Sequence, residues 1–201
     1  MLQRPHGAIS LPTSNFRGPA VYLMVDTDDA AVVRRCLKGE YNAYEAIVTR
    51  YQRGLFNVAF RMLGNYEDAR DATQNAFIKA YEHLDSYDPA QRFFSWLYRI
   101  LKNECLNVLR GRRPSEPVSP GLPARDREDP VEIRERHRAV QDALLALSME
   151  YREVVVLRHF TDLSYDEIAA ALGIPAKTVK SRLYTARQQL GELLVEWHVP
   201  R

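Results

Sequence analysis

The chain has 201 residues, 46% of them hydrophobic and 27% charged, with 28 Lys plus Arg against 26 Asp plus Glu and a formal net charge of +2. This composition excludes collagen-like, wholly disordered and disulfide-dense classes, and the length allows one domain or two small ones. Cys36 and Cys105 are too few and too far apart for a disulfide framework or a metal knuckle, which points to a reducing cytoplasm and no bound metal. No window of about 18 uncharged apolar residues could form a membrane-spanning helix.

Residues 1–25 loosely resemble a signal peptide, but Pro5, Pro12, Pro19 and Arg17 interrupt any apolar stretch. They are expected to form a disordered extension, with a start at Met24 as the alternative. Asp26 or Thr27 can cap a first helix that ends at Gly39. Tyr44, Ile47, Val48, Tyr51, Leu55, Val58, Ala59, Met62 and Leu63 then form a long helical stripe that Gly64 terminates. Asn65 is placed to cap a third helix with Ala69, Ala72, Ala76, Phe77, Ala80, Tyr81 and Leu84 inward. Its polar faces hold Asp68, Asp71, Gln74, Asn75, Lys79 and Glu82, an acidic surface that repels DNA and suits a protein partner or plain solvation. After the loop 86–91, a fourth helix runs from Phe93 to about Arg110, with Leu97, Ile100, Leu101, Cys105, Val108 and Leu109 inward.

The text then changes to GRRPSEPVSPGLPARDREDP, residues 111–130, with five prolines and two glycines, the composition of an extended linker. Asp129, Pro130 and Glu132 mark the start of a helix to Leu147. Ser148 can cap the next, carrying Tyr151, Val154, Val155, Leu157 and Phe160. Ser164 and Glu167 form a capping box for a short helix from Tyr165 to Leu172, Gly173 breaks it, and Pro175 opens the last helix. The pattern gives an all-α chain of two small helical domains joined by a flexible linker.

Two segments point to nucleic acid. YDEIAAALGIPAKTVKSRLY, residues 165–184, has helix-turn-helix spacing, with small Ala169 at the crossing, Gly173 in the turn, and Ile168, Leu172, Val179 and Leu183 between the helices. Its second helix presents Lys177, Thr178, Lys180, Ser181, Arg182, Tyr184, Thr185 and Arg187, which suits phosphates and major-groove base edges. From Arg92 to Arg113, the cations Arg92, Arg99, Lys102, Arg110, Arg112 and Arg113 face one acid, Glu104, with Phe93, Phe94, Trp96 and Tyr98 interleaved. That mixture suits a single strand, whose bases stack on aromatics while cations follow its backbone, although a core reading of the aromatics fits equally. Asn103 can both donate to and accept from an unpaired base edge. There is no phosphate-binding glycine loop, zinc-spaced cluster or nucleophile-base pair, and His6, His83, His137, His159 and His198 are scattered. The chain is therefore expected not to be an enzyme and to use no cofactor or metal.

YEDARDATQNAFIKAYEHLDSYDPAQRFFSWLYRILKNECLNVLRGRR followed by LSYDEIAAALGIPAKTVKSRLYTARQQL resembles the bacterial RNA polymerase sigma factors of the sigma-70 family, extracytoplasmic-function group, over about residues 28–194. The resemblance implies an extension at 1–25, region two at 26–112, a linker at 113–129 and region four at 130–197. It implies that Asp68, Asp71, Gln74, Asn75, Phe77 and Ile78 bind the β′ clamp helices of core polymerase, and that region four contacts the β flap. Arg92, Trp96, Arg99, Lys102, Asn103 and Arg110 would melt the minus-ten element and hold the non-template strand, with Asn103 at a flipped base. Lys177, Thr178, Lys180, Ser181, Arg182, Tyr184 and Arg187 would read the minus-thirty-five duplex. An anti-sigma factor is the implied regulator, and free protein is expected to bind duplex poorly. Asn75 stands where the family pattern has an acid, Lys177 where glycine is frequent, and Phe93-Phe94 is bulkier than usual. Promoter preference therefore does not transfer from relatives, and a linker with as many cations as acids, where a more acidic one is common, argues against nucleic-acid mimicry by that segment. The competing assignments are a dimeric helix-turn-helix activator or repressor, which the Arg92 to Arg113 segment disfavours, and an anti-sigma-like adaptor, which the cationic last helix disfavours.

Overall fold

The computed structural model describes residues 28–112, 131–161 and 163–196, and among them every regular element is helical. Helix α1 (Asp29–Leu37) starts one residue beyond the expected caps. Asp28 is the N-cap, and its carboxylate accepts the Ala31 amide at 2.8 Å. A short 3-10 turn, Tyr41–Ala43, leads into α2 (Tyr44–Leu63), whose predicted apolar stripe is buried throughout. Gly64 closes α2 at φ 72°, and Asn65 caps α3 (Tyr66–Glu82) by accepting the Asp68 amide at 3.0 Å. Leu84 is buried as expected but lies in a second 3-10 turn, Leu84–Ser86, rather than in α3. Helix α4 (Phe93–Gly111) lies across α2 and α3.

The second group comprises α5 (Val131–Ala146), α6 (Met149–Phe160), α7 (Tyr165–Leu172) and α8 (Ala176–Glu196). The Asp129-Pro130-Glu132 start signature, like the 1–25 extension and the 113–129 linker, lies outside what is described. Ser148 occupies the N-cap of α6, yet its hydroxyl makes no capping bond. The Ser164-Glu167 capping box is present in both directions, at 3.3 and 2.7 Å. Ile168, Val179, Leu183 and Ala186 are buried where α7 and α8 cross.

The two groups do not sit apart: α5 and α6 pack on α2, α7 packs on α4, and one contiguous apolar cluster runs through both. The seam forms where α2 ends. A helix C-terminus leaves its last carbonyls without intrahelical partners, and here side chains supply them. Gln141 of α5 donates to the Phe60 and Arg61 carbonyls at 3.3 and 3.4 Å. Arg152 of α6 donates to that of Met62 at 2.6 Å, and Arg112 to that of Leu63 at 2.9 Å. Arg152 also reaches the carbonyls of Leu144, Leu145 and Leu147 at 2.9, 2.6 and 3.0 Å, so one guanidinium holds the C-terminal ends of α2 and α5 together.

Gly64 sits at this corner in left-handed backbone, and a Cβ built on it would collide with the Leu145 side chain. Gly64→Ala is therefore expected to cost about 1–2 kcal/mol from its backbone conformation alone, measurable as a lowered urea midpoint. A midpoint unchanged from the parent would contradict this role of the corner.

Candidate nucleic-acid interface

Three surfaces carry the residues singled out from the sequence. On α3, Asp71, Asn75 and Ile78 are exposed while Asp68 and Gln74 are half-buried. Phe77 departs from this face: it is 1% exposed, and its backbone carbonyl accepts the buried Tyr44 hydroxyl at 2.8 Å, so its ring is core. The i, i+4 rhythm of Thr73 and Phe77 turns both inward. Asp71 pairs loosely with Arg70 at 3.4 Å, and Asp68 pairs with Arg112 at 2.6 Å.

On α4 the structure decides between the two readings of the aromatics. Phe93, Phe94 and Tyr98 are 2, 4 and 1% exposed, leaving them unable to stack on bases in this arrangement. With Leu97 and Leu101 they form one apolar stripe at inward helical spacing. Trp96 is half-buried, with its ring 5.6 Å from Tyr87 and 5.3 Å from Phe93. Arg92, Arg99, Asn103 and Arg110 are exposed. Arg99 donates to the side-chain oxygen of Gln91, and Tyr87 donates to the Gln91 carbonyl at 2.8 Å, which ties the 86–91 loop to the start of α4. Glu104 is buried and pairs with Lys79 at 2.6 Å. Cys105 is also buried, which pushes its thiol up to about 12 and removes it from thiolate chemistry.

Helix α8 stands with Lys177, Lys180, Ser181, Tyr184 and Arg187 exposed, Tyr184 at 66%. Thr178 is half-buried and its carbonyl accepts the Ser181 hydroxyl at 3.0 Å. The Lys180 ammonium lies 5.8 Å from the Tyr165 ring centre, and the Tyr184 hydroxyl accepts from Gln188 at 3.1 Å. Arg182 turns the other way, to Glu150 at 2.8 Å and Glu153 at 3.9 Å. It braces α8 on α6 in this arrangement.

Sequence reasoning missed the residues that join the surfaces. Glu153, 3% exposed, meets Lys102 of α4 at 2.7 Å as well as Arg182 of α8, and Glu167 of α7 meets Arg92 of α4 at 2.6 Å. The Tyr98 hydroxyl is fully buried near Glu153, and burial followed by that negative charge holds its pKa well above the ordinary value. One signal was legible: Arg152 and Glu153 stand directly before the apolar run Val154 to Leu157, where charged residues need internal partners.

An all-α chain with a basic helix-turn-helix on one group of helices and a cationic, amide-bearing helix on the other defines a two-part DNA-binding protein. The chain matches the family Sigma-70 region 2 over residues 47–114 and Sigma-70, region 4 over residues 137–190. It is 34% identical over 180 residues to the ECF RNA polymerase sigma factor SigW of Bacillus subtilis, covering 81% of this chain and 94% of that one. Its fold is similar to that of CnrH, solved in complex with the cytosolic domain of CnrY, with a TM-score of 0.69 and 28% identity over 85% of this chain and 99% of that one. It is also similar to the sigma factor RpoE of Bartonella quintana, solved with the anti-sigma factor NepR, with a TM-score of 0.60 and 25% identity over 75% and 96% of the two chains. The chain belongs to the sigma-70 family of RNA polymerase sigma factors, in its ECF group.

Arg182 and Arg187 lie one and a half turns apart on α8 and do different work in this structure. Arg182→Ala removes one of the two cations at a buried carboxylate and is expected to destabilise the protein by about 1–3 kcal/mol. Arg187→Ala, on an exposed face, should stay within about 0.5 kcal/mol. Urea unfolding of the two variants decides it, and equal losses would contradict the bracing role.

Proposed function

We infer that this protein is the promoter-specificity subunit of a bacterial RNA polymerase: it joins the core enzyme, recognises minus-thirty-five duplex, and opens the minus-ten element. The observation that carries the reading is the coexistence in one chain of two unlike nucleic-acid surfaces, an exposed cationic recognition helix and an exposed Arg99-Asn103-Arg110 face on α4. A regulator that binds only duplex needs the first and not the second. Region two then comprises 26–112, the linker 113–129 and region four 130–197.

In this reading Lys177, Lys180, Ser181, Tyr184 and Arg187 face the minus-thirty-five groove, with Thr178 half-buried behind them. Phosphates reward the cations, and polar tips near the N-terminal half of α8 reach base edges. Arg182 fixes the angle of α8 rather than touching bases. Arg99, Lys102 and Arg110 follow the displaced strand, Arg92 and Trp96 support the loop, and Asn103 offers a donor and an acceptor to an extruded base. Unstacking a base costs a few kcal/mol, which hydrogen bonding and stacking in a ready pocket offset, so opening requires no hydrolysis. The protein works in the cytoplasm as a binding subunit rather than an enzyme. No described helix is long and apolar enough to cross a membrane.

Asp71, Gln74, Asn75 and Ile78 on the outer face of α3, with half-buried Asp68, meet the β′ clamp helices, and Phe77 supports them from beneath. Region four meets the β flap. Because both structural neighbours named above were solved with a second protein, one of them called an anti-sigma factor, an anti-sigma partner is the expected antagonist here as well.

Two variants test the assignment. Asp71→Arg with Gln74→Ala should weaken binding to core polymerase at least about tenfold by loss of charge complementarity, with helix content unchanged by circular dichroism; equal affinity would remove α3 from that contact. Asn103→Ala should slow open-complex formation, followed by permanganate reactivity of unpaired thymines, about ten- to a hundredfold while closed-complex affinity stays the same. An unchanged opening rate would remove Asn103 from the pocket.

A further inference from the structure

Tyr87 is the buried residue of the loop 86–91, and Ser86, Asp88, Pro89, Ala90 and Gln91 around it are exposed. The loop therefore hangs on one side chain. The Tyr87 ring meets that of Phe93 edge-on at 5.1 Å and that of Trp96 at 5.6 Å, and its hydroxyl donates to the Gln91 carbonyl at 2.8 Å. Asp88 closes the turn from within, accepting the Ala90 amide at 2.9 Å and the Gln91 side chain at 3.3 Å. Gln91 in turn receives Arg99, which shares an exposed face of α4 with Asn103 one turn on.

Beneath Phe93 the support continues into α2 and α1. Tyr51 of α2, 4% exposed, places its ring 5.6 Å from that of Phe93 and 6.1 Å from that of Phe94. Its hydroxyl donates at 2.5 Å to Asp29, the first residue of α1, whose other carboxylate oxygen pairs with Arg50. The Asp29 and Arg50 side chains are only 14 and 19% exposed. A carboxylate so enclosed depends on its partners, and two directional, charge-assisted bonds fix the Tyr51 ring where an apolar contact alone would let it slide. Burial, and after it the hydrogen bond and charge of Asp29, hold the Tyr51 phenol above its ordinary pKa, so it remains a donor at neutral pH. Helix α1 also lies beside the 3-10 turn Leu84–Ser86 that leads into the loop.

We propose that Asp29, together with Arg50, is a positioning group for the minus-ten capture site: by fixing Tyr51 it sets the Phe93 ring, and through Phe93 it sets Tyr87 and the loop 86–91 beside Arg99 and Asn103. Helix α1 thereby belongs to the opening apparatus without itself meeting DNA. A loop that holds its capture shape for only a third to a tenth of the time slows opening about three- to tenfold. The proposal rests on the sigma-factor reading for that consequence, whereas the dependence of the loop on Asp29 is a property of the free chain.

Tyr51→Phe removes the hydroxyl and leaves the ring, and Asp29→Asn leaves an acceptor without the charge that Arg50 needs. In a Trp197→Phe background Trp96 is the only tryptophan and reports on the loop. In both variants acrylamide quenching of Trp96 in the free chain should rise about twofold, and holoenzyme opening, followed by permanganate, should slow about three- to tenfold with core affinity unchanged. Gly64→Ala, at the C-terminal end of α2, should lower stability without either effect. Quenching or opening at the parent's value in either variant, or both effects reproduced by Gly64→Ala, would overturn the positioning role. Failure of the sigma-factor reading has a separate signature, absence of core-dependent initiation by the parent, and the quenching comparison requires no polymerase.

Discussion

The arrangement depends on the Arg152 guanidinium. It lies 8% exposed between the last turns of α2 and α5 and donates to four carbonyls from the two helices. Burial, and after it the nearby Arg112 charge, lowers its pKa from the ordinary value, yet an arginine stays ionised. An uncompensated buried cation costs several kcal/mol. Here each helix end offers unpaired oxygens and about half a negative charge, so the penalty is offset only while both ends stay in place. The corner at Gly64, the course of α5 and the seat of α6 all follow from that requirement.

Charge is divided between internal and external work. Lys79, Lys102, Arg112 and Arg182 have acids close by: Glu104, Glu153, Asp68, and Glu150 with Glu153. Lys177, Lys180, Arg187 and Arg110 stay exposed. A formal charge of +2 over 201 residues thus conceals two cationic faces and one acidic face on α3, which sequence totals average away. The α3 face carries Glu67, Asp68 and Asp71 as its anionic groups before the exposed Glu82, with the neutral Asn75 between them.

Local signals carried much of the fold. The stripe from Tyr44 to Leu63, the left-handed Gly64, the Asn65 cap and the Ser164-Glu167 box depend on neighbours within a turn or two, and each lies where periodicity put it. Composition left the aromatics of α4 open between stacking and core. Interleaving with cations suggested stacking surfaces, while the inward spacing of Phe93, Phe94, Leu97, Tyr98 and Leu101 was the stronger physical signal. Beyond the placing of Arg152 and Glu153 before an apolar run, the seam was illegible because its bonds join residues far apart in the chain, and Gln141, Arg152 and Glu153 are residue types that ordinarily face water. No helical period distinguishes a polar side chain that caps a distant helix from one that is solvated.

The central claim is that this chain confers promoter-specific initiation on core RNA polymerase. Its most direct test is run-off transcription by core enzyme, with and without the protein, on a library of fragments with varied minus-thirty-five and minus-ten blocks. The account predicts transcripts that depend on the protein and on both blocks. No initiation, together with tight binding of a palindromic duplex by the protein alone, would contradict it and mark a conventional helix-turn-helix regulator.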